Sequence, residues 1–134
     1  MPNVTYSEIL DYLDAIAKAN LDSENGDVSA APHGRFWLDN AGNRLTRDAF
    51  VSATLPGVTC QSQPIPLTSA DPAQCAFYQA LIGPRGWCKK GQMPAGGPFI
   101  TDSQSMFTLP NQAKISGADI QTNIVWWLTH QMPK

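Results

Sequence analysis

The three cysteines are the residues of this chain that could form covalent bonds. Cys60, Cys75 and Cys88 are separated by 14 and 12 residues, whereas structural zinc sites need four ligands, usually in two close pairs. Two states stay open: one disulfide plus a free thiol, or three reduced thiols packed as small apolar side chains. Pairing Cys60 with Cys75 would tie the Pro-rich loop 61–70 to the next helix, and pairing Cys75 with Cys88 would close the turn before Met93. The sequence does not choose between them.

Cys88 is also the best candidate for a nucleophile. The basic residues Arg85, Lys89 and Lys90 lie close to it in sequence, and positive neighbours lower the pKa of a thiol. A thiol-dependent enzyme is therefore one hypothesis, although structural packing of Cys88 is preferred. No Gly-x-Ser-x-Gly segment occurs, and Gly96-Gly97 lacks the lysine of a phosphate-binding loop. The sequence thus predicts no catalytic residue and no metal ligand.

Tryptophans are the candidates for contact with a partner. Trp126 and Trp127 are adjacent, so they point about 100° apart on a helix, and one can join the core while the other faces a partner or solvent. Trp87 and Trp126 are the candidate interaction residues, because tryptophans are enriched where proteins bind each other. His130 follows near the end of the same helix, where its charge would favour the negative end of the dipole.

The composition is that of one folded domain. The chain has 134 residues, of which 43% are hydrophobic and 15% charged, with a net charge of −2 and a pI near 5.5. Its length predicts a single domain over residues 1–134. The nine Lys and Arg residues are scattered apart from Lys89-Lys90, which argues against nucleic acid or an anionic membrane as partner. The oligomeric state cannot be read from these numbers.

The N-terminal residues and the apolar segments indicate in which cellular compartment the protein is expected. Residues 1–5 lack a basic region followed by an apolar run, so no secretory signal is visible. The sequence therefore favours the cytoplasm, with the periplasm as the alternative if a signal has been removed. No apolar run reaches the length of a membrane span.

The first half of the chain contains two predicted helices. Thr5 and Glu8 form a capping box for a helix at 5–19, and its apolar stripe consists of Tyr6, Ile9, Leu10, Leu13, Ile16 and Ala17. Asp11, Asp14 and Lys18 occupy the opposite face, which we interpret as solvated. A second, short helix is predicted from the cap Thr46 to Pro56-Gly57.

The second half contains two more predicted helices. Ser69 or Asp71 caps the third, which has Pro72 at its first position and ends before Gly83-Pro84. The fourth begins at Ser116, with Asp119 in its first turn. Residues 83–115 show no long periodic segment, and the prolines of 91–98 deny that part a central strand. Four helices joined by long Pro- and Gly-rich loops predict an all-α domain.

The last third of the chain resembles a known family. Gln92-Met93-Pro94 with glycines just after it, followed by Asp119-Ile120, Ile124 and Trp127-Leu128, is similar to the end of bacterial cytochrome c domains, including haem-less relatives. The resemblance implies a small orthogonal helical domain in which the first helix packs across the last.

In that family the residue at the Met93 position is an axial ligand of haem iron, and the other ligand is the histidine of a Cys-x-x-Cys-His motif. This chain has no such motif. The resemblance therefore implies a scaffold without covalent haem. We interpret Met93 as packing against Trp127, because thioethers commonly pack next to aromatic rings. The alternative is a haem held without covalent bonds by His33 and Met93, since imidazole and thioether suffice to bind iron.

The leading hypothesis is a non-catalytic accessory module without a cofactor, which docks on a larger protein such as a redox enzyme. The alternative is an electron carrier with haem bound through His33 and Met93, and a weaker alternative is the thiol-dependent enzyme centred on Cys88.

Overall fold

The computed structural model describes residues 4–22, 37–39, 41–60, 63–82, 99–102 and 104–134, without the side-chain surroundings of 21–22, 54–60 and 63–66. Four α-helices and four short strands follow one another along these residues. In chain order they are α1 (Tyr6–Asp22), α2 (Arg47–Ser52), β1 (Thr54–Cys60), β2 (Gln63–Pro66), a 3-10 turn (Pro72–Gln74), α3 (Ala76–Ile82), β3 (Met106–Thr108), β4 (Lys114–Ser116) and α4 (Gly117–Thr129).

The prediction of an all-α domain is wrong. Two antiparallel two-stranded sheets, β1–β2 and β3–β4, accompany the helices, so the fold is a small mixed α/β domain. The cytochrome-like helical architecture predicted for 1–134 is corrected accordingly.

The sequence does not predict the sheet β1–β2, because prolines and a glycine within its strands are turn signals. Helix α2 ends at Ser52, and the Pro56-Gly57 pair that was expected to end it lies inside β1. The register of β1 against β2 shifts between Thr54 and Thr59. In a two-stranded ribbon every strand is an edge strand, so a proline without an N–H is tolerated there and at bulges.

The hairpin β3–β4 was missed because its strands are only three residues long. Leu109 N–H donates to the Ala113 carbonyl at 2.8 Å, and Ala113 N–H donates to Asn111 Oδ1 at 3.0 Å. Gln112 closes the turn with a φ of 74°, in the left-handed region where glycine is the usual residue. Without that glycine the sequence carries no strong hairpin signal.

The predicted starts of α1, α2 and α4 are confirmed, because their caps are local, whereas α3 begins at Ala76, after a 3-10 turn that holds Pro72. Glu8 N–H donates to Thr5 Oγ1 at 3.3 Å while Thr5 N–H donates to Glu8 Oε1 at 3.3 Å, which is the reciprocal pattern of a capping box. Ser116 Oγ accepts from the N–H of Asp119 at 3.1 Å at the start of α4. The corresponding caps of α2 and of the 3-10 turn before α3 are Thr46 and Asp71.

The terminal helices pack against each other, as predicted. Asn123 Nδ2 of α4 donates to the Tyr12 hydroxyl of α1 at 2.9 Å, and the rings of Tyr6 and Trp127 stack with centroids 6.1 Å apart. Phe50 lies between the helices and contacts both rings. The apolar core contains Leu13 and Ile16 of α1 together with Ile124 and Trp127 of α4.

Candidate protein-binding surfaces

Four of the residues singled out in the sequence lie outside the described residues. They are His33, Trp87, Cys88 and Met93. Haem ligation by His33 and Met93, partner contact by Trp87 and a reactive thiol at Cys88 therefore stay predictions. Cys60 lies in β1, but its side chain is outside the description.

Cys75 lies in the core with a free thiol. The structure therefore contains neither of the two disulfides considered for this residue. The thiol donates to the Leu67 carbonyl at 3.5 Å. Burial raises the pKa of Cys75 to about 12, more than the hydrogen bonds around it lower it, so the side chain stays a protonated thiol at neutral pH. It packs as a small apolar side chain and is not a nucleophile.

The adjacent tryptophans divide between core and surface, as their spacing predicts. Trp127 is buried and its indole N–H donates to the Pro133 carbonyl at 2.8 Å. Trp126 is only partly buried, and its ring stacks on that of His130 with centroids 4.2 Å apart. His130 Nδ1 lies 2.7 Å from the Trp126 carbonyl. The indole N–H of Trp126 is enclosed and has no hydrogen-bond partner among the described residues.

Helix α4 presents an uncharged surface on the side away from the core. This α4 outer face consists of Ala118, Thr122, Val125, Trp126 and Thr129, all of which are exposed or partly exposed. Asp119 in the first turn is the only charged residue of the helix. Beside the face, Tyr78 of α3 and Gln121 complete an open groove of about 490 Å³ with Ala118, Thr122 and Val125.

A second surface feature is the α1–β3 groove, which runs between α1 and the hairpin. Its wider part has a volume of about 290 Å³ and its narrower part about 90 Å³. Helix α1 contributes Asp14, Ala15, Lys18 and Ala19, and the hairpin contributes 106–110 and Gln112. Met106 at the rim is 55% exposed, which is high for a large apolar side chain.

The carboxylates of α1 have partners that the sequence did not reveal. Arg44 Nη2 donates to Asp11 Oδ1 at 2.7 Å and to Asp14 Oδ2 at 2.5 Å, and the Trp37 indole N–H donates to Asp14 Oδ1 at 2.7 Å. Partial burial lowers the pKa of Arg44, but its bonds to Asp14 and Asp11 outweigh that effect and the net shift is upward. The interpretation of Asp11 and Asp14 as a solvated face is therefore corrected: the two carboxylates bind Trp37 and Arg44 to α1.

Two further chemical properties can be stated for the part of the chain that the structure describes. No cluster there brings together three His, Cys, Asp or Glu side chains in a way that could hold a metal ion. Within the same residues, no helix has the length and apolar character that crossing a bilayer requires.

Comparison of the chain with models of protein families, with curated proteins and with solved structures finds no match in any of the three.

Proposed function

We propose that this chain is a non-catalytic accessory module that binds a partner protein through the α4 outer face. The observation that carries the proposal is the lack of charge on that face. Surface helices of globular proteins normally place charged residues opposite their apolar stripe, as α1 does with Glu8, Asp11 and Lys18. The only charge of α4, Asp119, lies in the first turn, where the helix dipole favours a carboxylate.

The composition of the face matches that of protein interfaces. The buried centres of interfaces are depleted in charged residues and enriched in aromatic ones. On α4, Val125 and Trp126 lie on either side of Thr122, and Tyr78 extends the apolar area toward α3.

The same observation defines the partner's chemistry. A charged group brought against this face would lose its water without meeting an opposite charge, at a cost of several kcal/mol for a buried ion. The contacting surface of the partner is therefore uncharged and largely apolar. Partners with basic or acidic contact surfaces are disfavoured by the same argument.

Placing a charge on the face tests the proposal. Ala118 and Ala49 are both exposed alanines in the first turn of a helix, so Ala49→Arg is the matched control for Ala118→Arg. The tagged full-length chain and both variants would be isolated from the native source. Each co-purifying protein would then be produced separately and titrated against the three chains by calorimetry.

We expect one partner to bind the wild type and Ala49→Arg with equal Kd, and to bind Ala118→Arg at least about tenfold more weakly, because ~1.4 kcal/mol corresponds to tenfold. A partner that binds all three chains equally would contradict the use of this face. The absence of any directly binding protein would contradict the proposed function itself.

A further inference from the structure

The outer edge of β3 carries main-chain groups that are not paired within the described structure. Phe107 is paired with Ile115 in the hairpin, Gly117 N–H donates to the Ser105 carbonyl, and Leu109 N–H donates to that of Ala113. The carbonyl of Ser105, the peptide groups of Phe107 and the N–H of Leu109 therefore point toward β4. Because the direction alternates along an antiparallel strand, the N–H and C=O groups of Met106 and Thr108 point the other way.

The two residues that carry these outward groups line the α1–β3 groove. No hydrogen bond joins their main chain to another described residue on the side away from β4. An exposed edge of this kind is a template for one more strand. Since β3 is three residues long and Pro110 follows shortly after it, the template is short and suits a short extended segment.

The floor of the groove leaves room for the side chains of such a segment. A strand added beside β3 would place alternate side chains above α1, as β3 does with the buried Phe107. At that level α1 presents Ala15 and Ala19, one turn apart. The only charged groups in the lining are Asp14 and Lys18, of opposite sign, so the groove as a whole matches a segment without net charge.

We propose that the α1–β3 groove binds an extended, uncharged segment of another polypeptide by strand addition to β3. The N–H and C=O groups of Met106 and Thr108 supply the main-chain hydrogen bonds, and one apolar side chain of the segment packs over Ala15 and Ala19. Main-chain pairing supplies affinity, and the space above the two alanines selects the side chain. This site is separate from the α4 outer face and does not depend on the function proposed for it.

A displayed library of random peptides, selected on the purified full-length chain, is the probe. The discriminating variant is Thr108→Pro, which removes one outward N–H and leaves the bonds between β3 and β4 in place, since an edge position tolerates proline. The matched control is Thr108→Val, which keeps the N–H but, like proline, removes the hydroxyl that accepts from Lys114 Nζ. Circular dichroism and thermal unfolding show whether each variant is folded.

We expect selected peptides to be uncharged, to bind Thr108→Val within about twofold of the wild type, and to bind Thr108→Pro at least about tenfold more weakly. As a second arm, N-methylation of single amides in the best peptide should reduce binding at alternate positions only, because alternate amides face β3. This arm decides the matter even if Thr108→Pro does not fold.

Three results would overturn the proposal: no peptide is selected, peptides bind Thr108→Pro as tightly as the wild type, or every amide position tolerates methylation equally. Peptides displaced by the Ala118→Arg substitution would bind at α4 instead. That outcome would reject strand addition and leave the α4 interface standing.

Discussion

At the level of single residues, Gly117 makes a close approach to residues distant in the chain. A Cβ at this position would overlap the Ile100 carbonyl oxygen and Ser105 Oγ. The N–H of Gly117 also donates to the Ser105 carbonyl at 3.0 Å, so the start of α4 lies directly against the segment 100–105. The sequence contains ten glycines and no signal that this one is required by a contact with residues distant in the chain.

The substitution Gly117→Ala should lower the free energy of unfolding by about 3 kcal/mol, the upper part of the range for overpacking, because main-chain atoms would have to move. Gly42→Ala is the control. Gly42 has a φ of +86° and open space around it, so its loss costs only the strain of a left-handed alanine, ~1 kcal/mol. Urea unfolding measures both values, and equal costs would contradict the close approach at Gly117.

The Cys75 thiol makes stability depend on pH in the alkaline range. Its pKa is raised from 9.0 to about 12 by burial, so the folded state keeps a proton that the unfolded state releases. The stabilisation is complete below pH 9 and is lost as the pH rises from 9.0 toward about 12. Within this range the free energy of unfolding should fall by up to ~1.4 kcal/mol per pH unit on account of this one group.

The measurement is a set of urea unfolding curves between pH 7 and pH 10, for the wild type and for Cys75→Ala. Tyr6 also has a pKa raised to about 12 by burial, despite the opposing charge of Arg44, and its contribution is common to both chains. Burial and the neighbouring Cys75 both raise the pKa of Tyr78, so the difference between the slopes measures Cys75 together with its effect on Tyr78. Identical slopes above pH 9 would show that the thiol is not buried.

At the level of elements, hydrogen bonds from Trp37 and Arg44 join these residues to α1, and Asp14 accepts more of these bonds than Asp11. Asp14 accepts from both Trp37 and Arg44, whereas Asp11 accepts from Arg44 alone. Trp37 is buried and the carboxylates are about one-third exposed, at 32% for Asp11 and 34% for Asp14. The sequence does not distinguish the two aspartates, whereas in the structure they differ in the number of hydrogen bonds that they accept from Trp37 and Arg44.

Asp14→Ala should therefore lower the free energy of unfolding by about 2 kcal/mol, since it takes an acceptor from a buried indole N–H. Asp11→Ala should cost less than about 1 kcal/mol, as expected for a partly exposed ion pair. Asp14→Asn keeps an oxygen for Trp37 and should recover part of the loss. Chemical denaturation gives the three values, and the reverse order would mean that the ion pairs outweigh the indole bond.

The elements divide clearly into those that sequence reveals and those that it does not. The capping box of Thr5 and Glu8 and the cap at Ser116 involve groups three residues apart, so they can be read from local spacing. The hairpins depend on pairing between short segments, in one case with Pro56-Gly57 inside a strand and in the other with Gln112 in a glycine conformation. The local sequence of neither hairpin therefore predicts a strand.

At the level of the whole molecule, the packing of α1 against α4 follows from the sequence. Two amphipathic helices must cover each other's apolar stripes, and Tyr6 with Trp127 and Tyr12 with Asn123 show where they meet. The cytochrome-like interpretation went further than this packing allows, because a helix at each end is also compatible with sheets between them. The helical prediction lacked the two antiparallel sheets, β1–β2 and β3–β4.

A haem titration tests the whole-molecule proposal against its main alternative. Because the proposed module uses no iron ligands, adding haem to the purified chain should produce no sharp Soret band. A sharp band lost in both His33→Ala and Met93→Ala would identify an electron carrier with those axial ligands and would contradict the accessory function. Absorption spectra of the wild type and the two variants suffice for the comparison.

What the sequence determined by itself was the helix caps, the apolar stripes of α1 and α4, and the division of Trp126 from Trp127, because each depends on residues within about one helical turn. The tertiary structure alone decided the rest. It showed which face of α4 lacks charge, that Asp14 accepts from the indole of Trp37, that Cys75 is buried, and that α1 and β3 line a common groove with Ala15 and Ala19. These properties arise between segments distant in the chain, where pairing and burial outweigh local preference.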